Sequence, residues 1–304
     1  DARRKHMLET GFARIAAMQT ENGRFGFWPG AGYGDAQMTP YVADLLLTAK
    51  DNGLVIPEAV LEKALKRLED DLLSGGDGFY SYDNAQHLRF ATNAYAAYVL
   101  ARTNRAPLGT LRSLWDNQRK NALTALPLLQ LGIALKLQGD ADRAQKALVE
   151  ALEKKNERPR YLGDYGSNLR DEALLLALLH EQHMTTNATA QRVLELAQHL
   201  RQPDNAKRWL STQERLAIFR LGRQLLEESR HGLSGSFTVA GESTPLDGRA
   251  LVSRQVDFAQ LQNGVSLALE GDGPFWLSED IAAHPSKAPA PRDEPIRIRR
   301  AWFP

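Results

Sequence analysis

The sequence predicts a mainly α fold, built of stacked helical hairpins and followed by a small β-sheet module. Three observations carry that prediction. Over roughly the first 230 residues the apolar side chains recur at helical spacing, and the helices come in two kinds. Aromatic stretches recur just ahead of one of those kinds. Beyond Gly232 the pattern changes to short alternating runs punctuated by turn residues.

The first kind of helix is one-sided. PEAVLEKALKRLEDDLL places Val60, Leu61, Ala64, Leu65, Leu68 and Leu72 on one face, with Lys and Glu opposite. DADRAQKALVEALEKK and ATAQRVLELAQHLRQ show the same period. The second kind is apolar almost all round: YVADLLLTA, ATNAYAAYVLA, LPLLQLGIALKL, EALLLALLH and RLAIFRLGRQLL. A helix of that kind must be covered on every side, so one set lines the inside and the other wraps it. Pairing them gives 4–19 with 39–50, 57–73 with 90–103, 107–118 with 121–138, 140–155 with 168–182, and 187–201 with 211–228. Such hairpins form either an open solenoid or a closed α/α toroid. Toroids of this kind are usually built from six pairs. The count of five and the abrupt start at Asp1 predict a further inner helix upstream, and the start without Met predicts a fragment or processed product.

Helix starts are marked. Thr39 is placed as a cap with Pro40 in the first turn, Ser211 to Glu214 reads as a capping box, and Asn168 with Asp171 reads as another cap. The stretch GRFGFWPGAGYGDAQ, with Phe25, Phe27, Trp28 and Tyr33, has relatives at Phe79, Tyr80 and Tyr82, at Tyr161 and Tyr165, and at Trp209. Each precedes an all-apolar helix. Their first reading is packing, as large rings filling the gaps between helix ends in a curved array.

After Gly232, SFTVAG, GRALVSRQVDFAQLQ and VSLALEGDG read as strands, with Asn263-Gly264 as a tight hairpin turn. HPSKAPAPRDEP is a proline-rich linker and IRIRRAWFP an edge or first strand. The division is therefore 1–230 helical, 231–285 β-rich, and 286–304 linker plus the beginning of a following module.

Composition excludes several functions. Lys plus Arg number 38 against 37 Asp plus Glu, so no charge excess steers the chain toward nucleic acid. Cysteine is absent, which removes disulfides, thiol catalysis and Cys-ligated zinc. No run approaches the roughly 18 apolar residues of a membrane span. His180 and His183, with Glu181 between them, have no evident third ligand, so no metal site is assigned. Asp70 and Asp71 sit next to each other on a wrapping helix and read as a solvated face rather than a diphosphate-metal motif. Asp35, Asp83, Asp164 and Asp171 lie in the loops where a glycan-cleaving toroid would carry its carboxylates. Arg158, Arg160 and Arg170 among tyrosines read as loop surface. No catalytic residue, metal or cofactor is assigned.

Several segments together resemble one family, the bacterial α2-macroglobulins, relatives of the complement thioester proteins. They are AAMQTENGRFGFWPG (16–30), TPYVADLLLTAK (39–50), LPLLQLGIALKLQGDADRAQKAL (126–148), YGSNLRDEALLLALL (165–179) and WLSTQERLAIFRLGRQLL (209–226). The resemblance implies a thioester domain of six hairpins in an α/α toroid, a CUB-like β-sheet domain around it, and a macroglobulin-like β-sandwich after it. It implies a protease trap rather than an enzyme: a protease cuts a bait region, the molecule rearranges, and a thioester acylates the protease. The family's thioester joins Cys and Gln within Cys-x-Glu-Gln. With no Cys here, that motif is expected upstream, and no thioester residue is assigned in this chain. Phe27, Trp28 and Tyr33 become candidates for a shield around the thioester, and His87 a candidate to assist acyl transfer. The expected partners are target proteases, the remaining domains of the parent protein and a peptidoglycan synthase of the penicillin-binding class. The expected location is the periplasm, with a membrane anchor in the upstream part. The alternative is an α/α-toroid enzyme acting on glycans or terpenoid diphosphates.

Overall fold

The computed structural model describes residues 2–79, 83–155, 158–159, 161–202, 205, 207–229, 234–247, 255–271, 277, 279 and 287. Tyr80, Tyr82, Arg160, the stretch 248–254, IRIRRAWFP and all of the proline-rich stretch except Lys287 lie outside them. The chain divides into two units, Asp1–Glu227 and Glu228–Pro304.

The first unit is helical. Its helices are α1 (Ala2–Ala17), α2 (Met38–Asp51), α3 (Glu58–Ser74), α4 (Ala85–Arg102), α5 (Leu108–Gln118), α6 (Ala125–Leu137), α7 (Ala141–Glu153), α8 (Asn168–Glu181), α9 (Asn187–Arg201) and α10 (Thr212–Ser229). α10 runs past the division between the units. The core lies where the all-apolar helices α2, α4, α6 and α8 meet. In α6 every residue from Ala125 to Leu135 is buried. The one-sided helices each commit a single face: Leu61, Ala64, Leu65, Leu68 and Leu72 in α3, and Ala144, Ala147, Leu148 and Ala151 in α7. Gly132 lets α6 and α7 close up, because a Cβ there would stand 3.0 Å from that of Ala147.

Four all-apolar helices end in one way. A residue with positive φ follows each of them: Gly53, Asn104, Gly139 and His183. The next residue's N–H reaches back five positions, Leu54 to Ala49 O at 3.0 Å, Arg105 to Leu100 O at 2.9 Å, Asp140 to Leu135 O at 2.9 Å and Met184 to Leu179 O at 2.8 Å. This is the Schellman stop. It gives His183 a backbone role, as the left-handed residue that ends α8, and it turns the chain the same way after each helix.

Several expectations are corrected. Thr39 does not cap α2. The helix begins one residue earlier, Asp35 Oδ1 accepts from Met38 N at 2.7 Å, and the Thr39 hydroxyl is turned inward, donating to Asp35 O at 2.8 Å. α8 is capped by Ser167, whose Oγ accepts from Arg170 N at 3.1 Å, so Asn168 is its first helical residue rather than its cap. The Ser211–Glu214 capping box is present in both directions, at 3.2 and 2.9 Å. α10 was expected to be covered all round. Ala217 and Leu221 are buried, but Leu216, Phe219 and Leu226 are exposed, because the described unit places no helix over that flank.

The second unit contains β1 (Ser234–Val239), β2 (Glu242–Asp247), a short helix α11 (Phe258–Gln262) and β3 (Val265–Glu270). The sheet is antiparallel, in the order β2-β1-β3. The hairpin turn is Ala240-Gly241, with φ of 48° and 87°, the two left-handed residues of a tight turn. Asn263-Gly264 is not a hairpin turn. Asn263 closes α11, which is started by an Asp257–Gln260 capping box inside the run expected to be extended. Local capping outweighed the alternating pattern there.

Candidate functional site

The residues singled out for function cluster around the segments that lead into α2, α4 and α8. The lead-in to α2 is a stapled loop. Gln19 Nε2 donates to Val60 O at 2.9 Å, Thr20 N to Arg24 O at 2.8 Å, Gly26 N to Met18 O at 2.9 Å and Asp35 N to Phe25 O at 2.8 Å. Phe25 is buried under it. Gly23, at φ +89°, packs so close to α3 that a Cβ would stand 2.6 Å from Lys63 O. Arg24 goes inward as a fork onto Asp71, with Nη2 to Oδ1 at 2.7 Å and Nε to Oδ2 at 3.2 Å. Arg67 and Asp77 complete the cluster. Burial opposes ionisation of Asp71, yet the Arg67 and Arg24 guanidiniums hold its carboxyl below the usual carboxylate range. Asp71 is therefore not part of a solvated face, whereas its neighbour Asp70 is exposed and pairs with Lys66.

With its base fixed, the loop presents Phe27, Trp28 and Tyr33 to solvent, at 42, 56 and 63 % exposure. Phe27 meets Trp28 at 6.2 Å between ring centroids, and Tyr165, from the lead-in to α8, edge-on at 6.2 Å. The Phe27–Tyr165 contact is absent from the sequence reading. Its only signal is that both rings occupy the same place in the repeat. Tyr33, Trp209 and Tyr161 are exposed as well, so these recurring aromatics are not uniformly packing residues.

The lead-in to α8 is held by a four-membered ion cluster. Arg158 Nη1 donates to Asp164 Oδ1 at 2.6 Å and also pairs with Asp171. Arg170 Nη2 reaches Asp164 Oδ2 at 3.0 Å. Arg158 and Arg170 are thus partly buried structural cations, a correction to their reading as loop surface. Burial again opposes charge on Asp164, and the hydrogen bond from Arg158 and the charge of Arg170 hold its carboxyl below the normal range. Asp35 caps α2, and Asp164 and Asp171 belong to the cluster, so three of the four carboxylates weighed for glycan chemistry are engaged in holding loops.

His87 lies in the first turn of α4, only 2 % exposed. Its Nδ1 accepts from Leu123 N at 3.1 Å, which assigns the proton to Nε2. Among the described residues Nε2 has no hydrogen-bond partner. Burial lowers the pKa of the imidazole, with Asp164 opposing. His87 is thus a buried imidazole whose neutral form is favoured, separate from the exposed rings. His180 is buried in α8.

Behind the rings lies an apolar cavity of about 520 Å³ among α2, α4, α6, α8 and α10, lined by Phe27, Tyr41, Leu45, Tyr95, Leu126 and Phe219 among others. A second cluster stands on its wall. Asp44 accepts from Tyr95 Oη at 2.8 Å, from Arg102 and from Arg220 Nη1 at 3.2 Å. Arg220 also forks onto Glu181 at 2.5 and 2.7 Å. Burial and the Asp44 charge push the Tyr98 hydroxyl up to about 12. The sequence marks Asp44, a charge inside the apolar run YVADLLLTA, whereas Arg220 stands among Arg215 and Arg223 and has no such mark.

A helical array of this kind, with a small sheet after it, is found within much longer chains. The chain is 42 % identical over 309 aligned residues to an α2-macroglobulin of Xylella fastidiosa, an alignment covering 99 % of this chain and 18 % of that protein. A crystal structure of Salmonella α2-macroglobulin reacted with methylamine superposes with a TM-score of 0.72 at 36 % identity, over 88 % of this chain and 17 % of that one. A crystal structure of trypsin-activated α2-macroglobulin from Escherichia coli gives 0.68 at 34 %, over 88 and 18 %. No protein-family model matches. The chain belongs to the bacterial α2-macroglobulin family and spans about a fifth of the length of these relatives.

Proposed function

We propose that this chain is most of the thioester domain, with the start of the region after it, of a protease trap. In this reading residues 1–230 are part of an α/α toroid, 231–285 belong to a CUB-like domain, and 286–304 lead into a macroglobulin-like β-sandwich. The observation that carries the reading is the group of exposed aromatic rings on a rigid base, Phe27, Trp28 and Tyr33, with Tyr165 against Phe27. Exposed rings on a stapled loop are arranged to be covered by something else. A thioester is such a partner, because dry apolar surroundings protect an acyl bond from water. A relative reacted with methylamine and another activated by trypsin support the reading. The sulfur must come from outside this chain, which has no cysteine.

The domain is then an inhibitor part and not an enzyme. Its partners are attacking proteases and the other domains of the parent protein. We extend the proposal, on family resemblance alone, to a periplasmic, membrane-anchored protein working with a peptidoglycan synthase. His87 stays a candidate for acyl transfer only if rearrangement uncovers it.

Amine incorporation tests the proposal. In the full-length protein, methylamine should add to a Gln of an upstream Cys-x-Glu-Gln and free one thiol, and trypsin should form conjugates that survive denaturation. Residues 1–304 alone should take up no amine. Absence of the motif upstream, labelling of residues 1–304, or turnover of a glycan or diphosphate substrate by them overturns the proposal.

A further inference from the structure

α10 is the helix that carries the chain from the first unit into the second, since it spans Thr212–Ser229 and the division falls after Glu227. It is also the least covered of the all-apolar helices. Its apolar anchorage is a single stripe, Ala217 and Leu221 buried with Ile218 and Leu225 partly buried beside them, while Phe219 is 68 % exposed. Beside that stripe stands one side chain with several partners. Arg220 donates to Glu181 at the end of α8, to Asp44 in the middle of α2, and to Tyr98 Oη in α4 at 3.4 Å. One guanidinium thus ties α10 to three other helices. Arg223 adds a bond to Asn52 at 3.2 Å near the surface.

The charges show what holds and what lets go. Asp44 has a second cation, Arg102, and the Tyr95 hydroxyl, so it stays satisfied without Arg220. The α2–α4 side of the cluster is therefore self-sufficient. On the α10 side Arg220 holds the middle of the helix, while Glu214 in its first turn accepts from Ser167 Oγ at 2.7 Å. Leu216, Ala217, Phe219, Arg220 and Arg223 form one wall of the cavity. Movement of α10 away from α2 opens that wall.

We propose that Arg220 is a latch: it holds the connecting helix α10 against the array, and its release lets α10 move as a unit and open the cavity, while α4 and α6 stay packed. A planar fork suits this task. It makes several directional bonds when seated, and an arginine keeps its charge when withdrawn. Tension along the chain beyond Glu227 acts directly on the latched helix. The proposal stands on the helical unit alone, so it survives or fails independently of the thioester reading.

Hydrogen exchange read by mass spectrometry on the full-length protein tests it. Arg220→Met should raise exchange in peptides from 212–229 by about tenfold or more, with 125–137 unchanged, as expected for a local rather than a global opening. Arg220→Lys should fall between, because it keeps the charge and loses the fork. Arg105→Met, which breaks an exposed pair with Glu62, should change neither region. Should Arg220→Met not accumulate, Glu181→Gln gives the same reading with a smaller rise confined to 212–229. Unchanged exchange in 212–229, or an equal rise in 125–137, overturns the latch.

Discussion

α6 and α10 share the expectation of cover all round and end in different surroundings. LPLLQLGIALKL carries only Gln130 and Lys136 as polar side chains, whereas RLAIFRLGRQLL carries Arg215, Arg220, Arg223 and Gln224. α6 is buried from Ala125 to Leu135, whereas α10 leaves Leu216, Phe219 and Leu226 in solvent. The neighbours differ as well. α6 packs against α4, α5, α7 and α8, and its close approach to α7 is licensed by Gly132. α10 has an ion cluster where α6 has methyl groups. An all-apolar helix states that it needs cover, but its own sequence does not say which element supplies it.

The sharpest way to break the comparison is a pair of truncations. Leu131→Ala should destabilise the helical unit by about 4 kcal/mol, because a fully buried leucine leaves both a transfer loss and a cavity. Phe219→Ala should stay within about 0.5 kcal/mol despite removing a larger side chain. Urea unfolding followed by tryptophan fluorescence measures both. Similar losses at the two sites would mean that α10 is covered after all.

A smaller effect separates two neighbouring residues on α3. Asp71→Asn should cost about 2–3 kcal/mol, because it strips a buried charge partner from Arg24 and Arg67. Asp70→Asn should cost no more than about 0.5 kcal/mol, since the exposed Lys66 pair is screened. Equal costs would put both aspartates in one environment.

Smaller again is a pH effect centred on His87. Its folded pKa lies below the ordinary value near 6.5, so the unfolded chain binds the proton first as pH falls. Stability should therefore be full above about pH 6.5 and decline below it, by up to about 1 kcal/mol per pH unit, until His87 titrates in the folded state as well. Of the groups facing it, Asp164 is held below and Arg158 above its usual range, so both keep their charges through that window. His87→Asn keeps an acceptor for Leu123 N and should flatten the slope between pH 6.5 and 5.5. An unchanged slope would assign it to another histidine.

What was legible in the sequence follows from the range of each interaction. Helix type and extent were readable because a 3.6-residue period is a local signal, and α3, α5, α7 and α9 fall within a few residues of their expected spans. The Ser211–Glu214 box was readable for the same reason. The Asp35 cap is just as local, three residues before Met38, but Thr39-Pro40 offered a competing start signal one residue inside the helix. The ion clusters were the largest gap. Arg24 meets Asp71 across 47 residues and Arg220 meets Asp44 across 176, so no local pattern announces them. The trace they do leave is Asp44, a charge inside an apolar run. The aromatic loop was found as a motif, but which of its rings faces in was not: Phe25 and Phe27 stand two apart, and the loop's turn, not a strand alternation, decides between them.

That pair of fates on one loop gives the smallest stability effect and the most specific functional one. Phe25 is 1 % exposed and carries the base of the loop, while Trp28 is 56 % exposed. Trp28→Ala should therefore shift the unfolding midpoint by no more than about 0.5 kcal/mol, in the range of ordinary surface changes. If the exposed rings serve as a shield, the same substitution in the full-length protein should speed the reaction with methylamine severalfold, because water and small amines gain access to an acyl group that the ring had covered. Tyr33→Ala, on the same loop as Trp28, should act in the same direction, and Tyr161→Ala, exposed outside that loop, should not. Kinetics of thiol release measure the rate, and the unfolding curve of each variant shows that the fold is intact. Unchanged release rates in both Trp28→Ala and Tyr33→Ala would remove the shielding role and leave these rings as a surface for some other partner. A faster rate with a matching loss of stability would return them to packing.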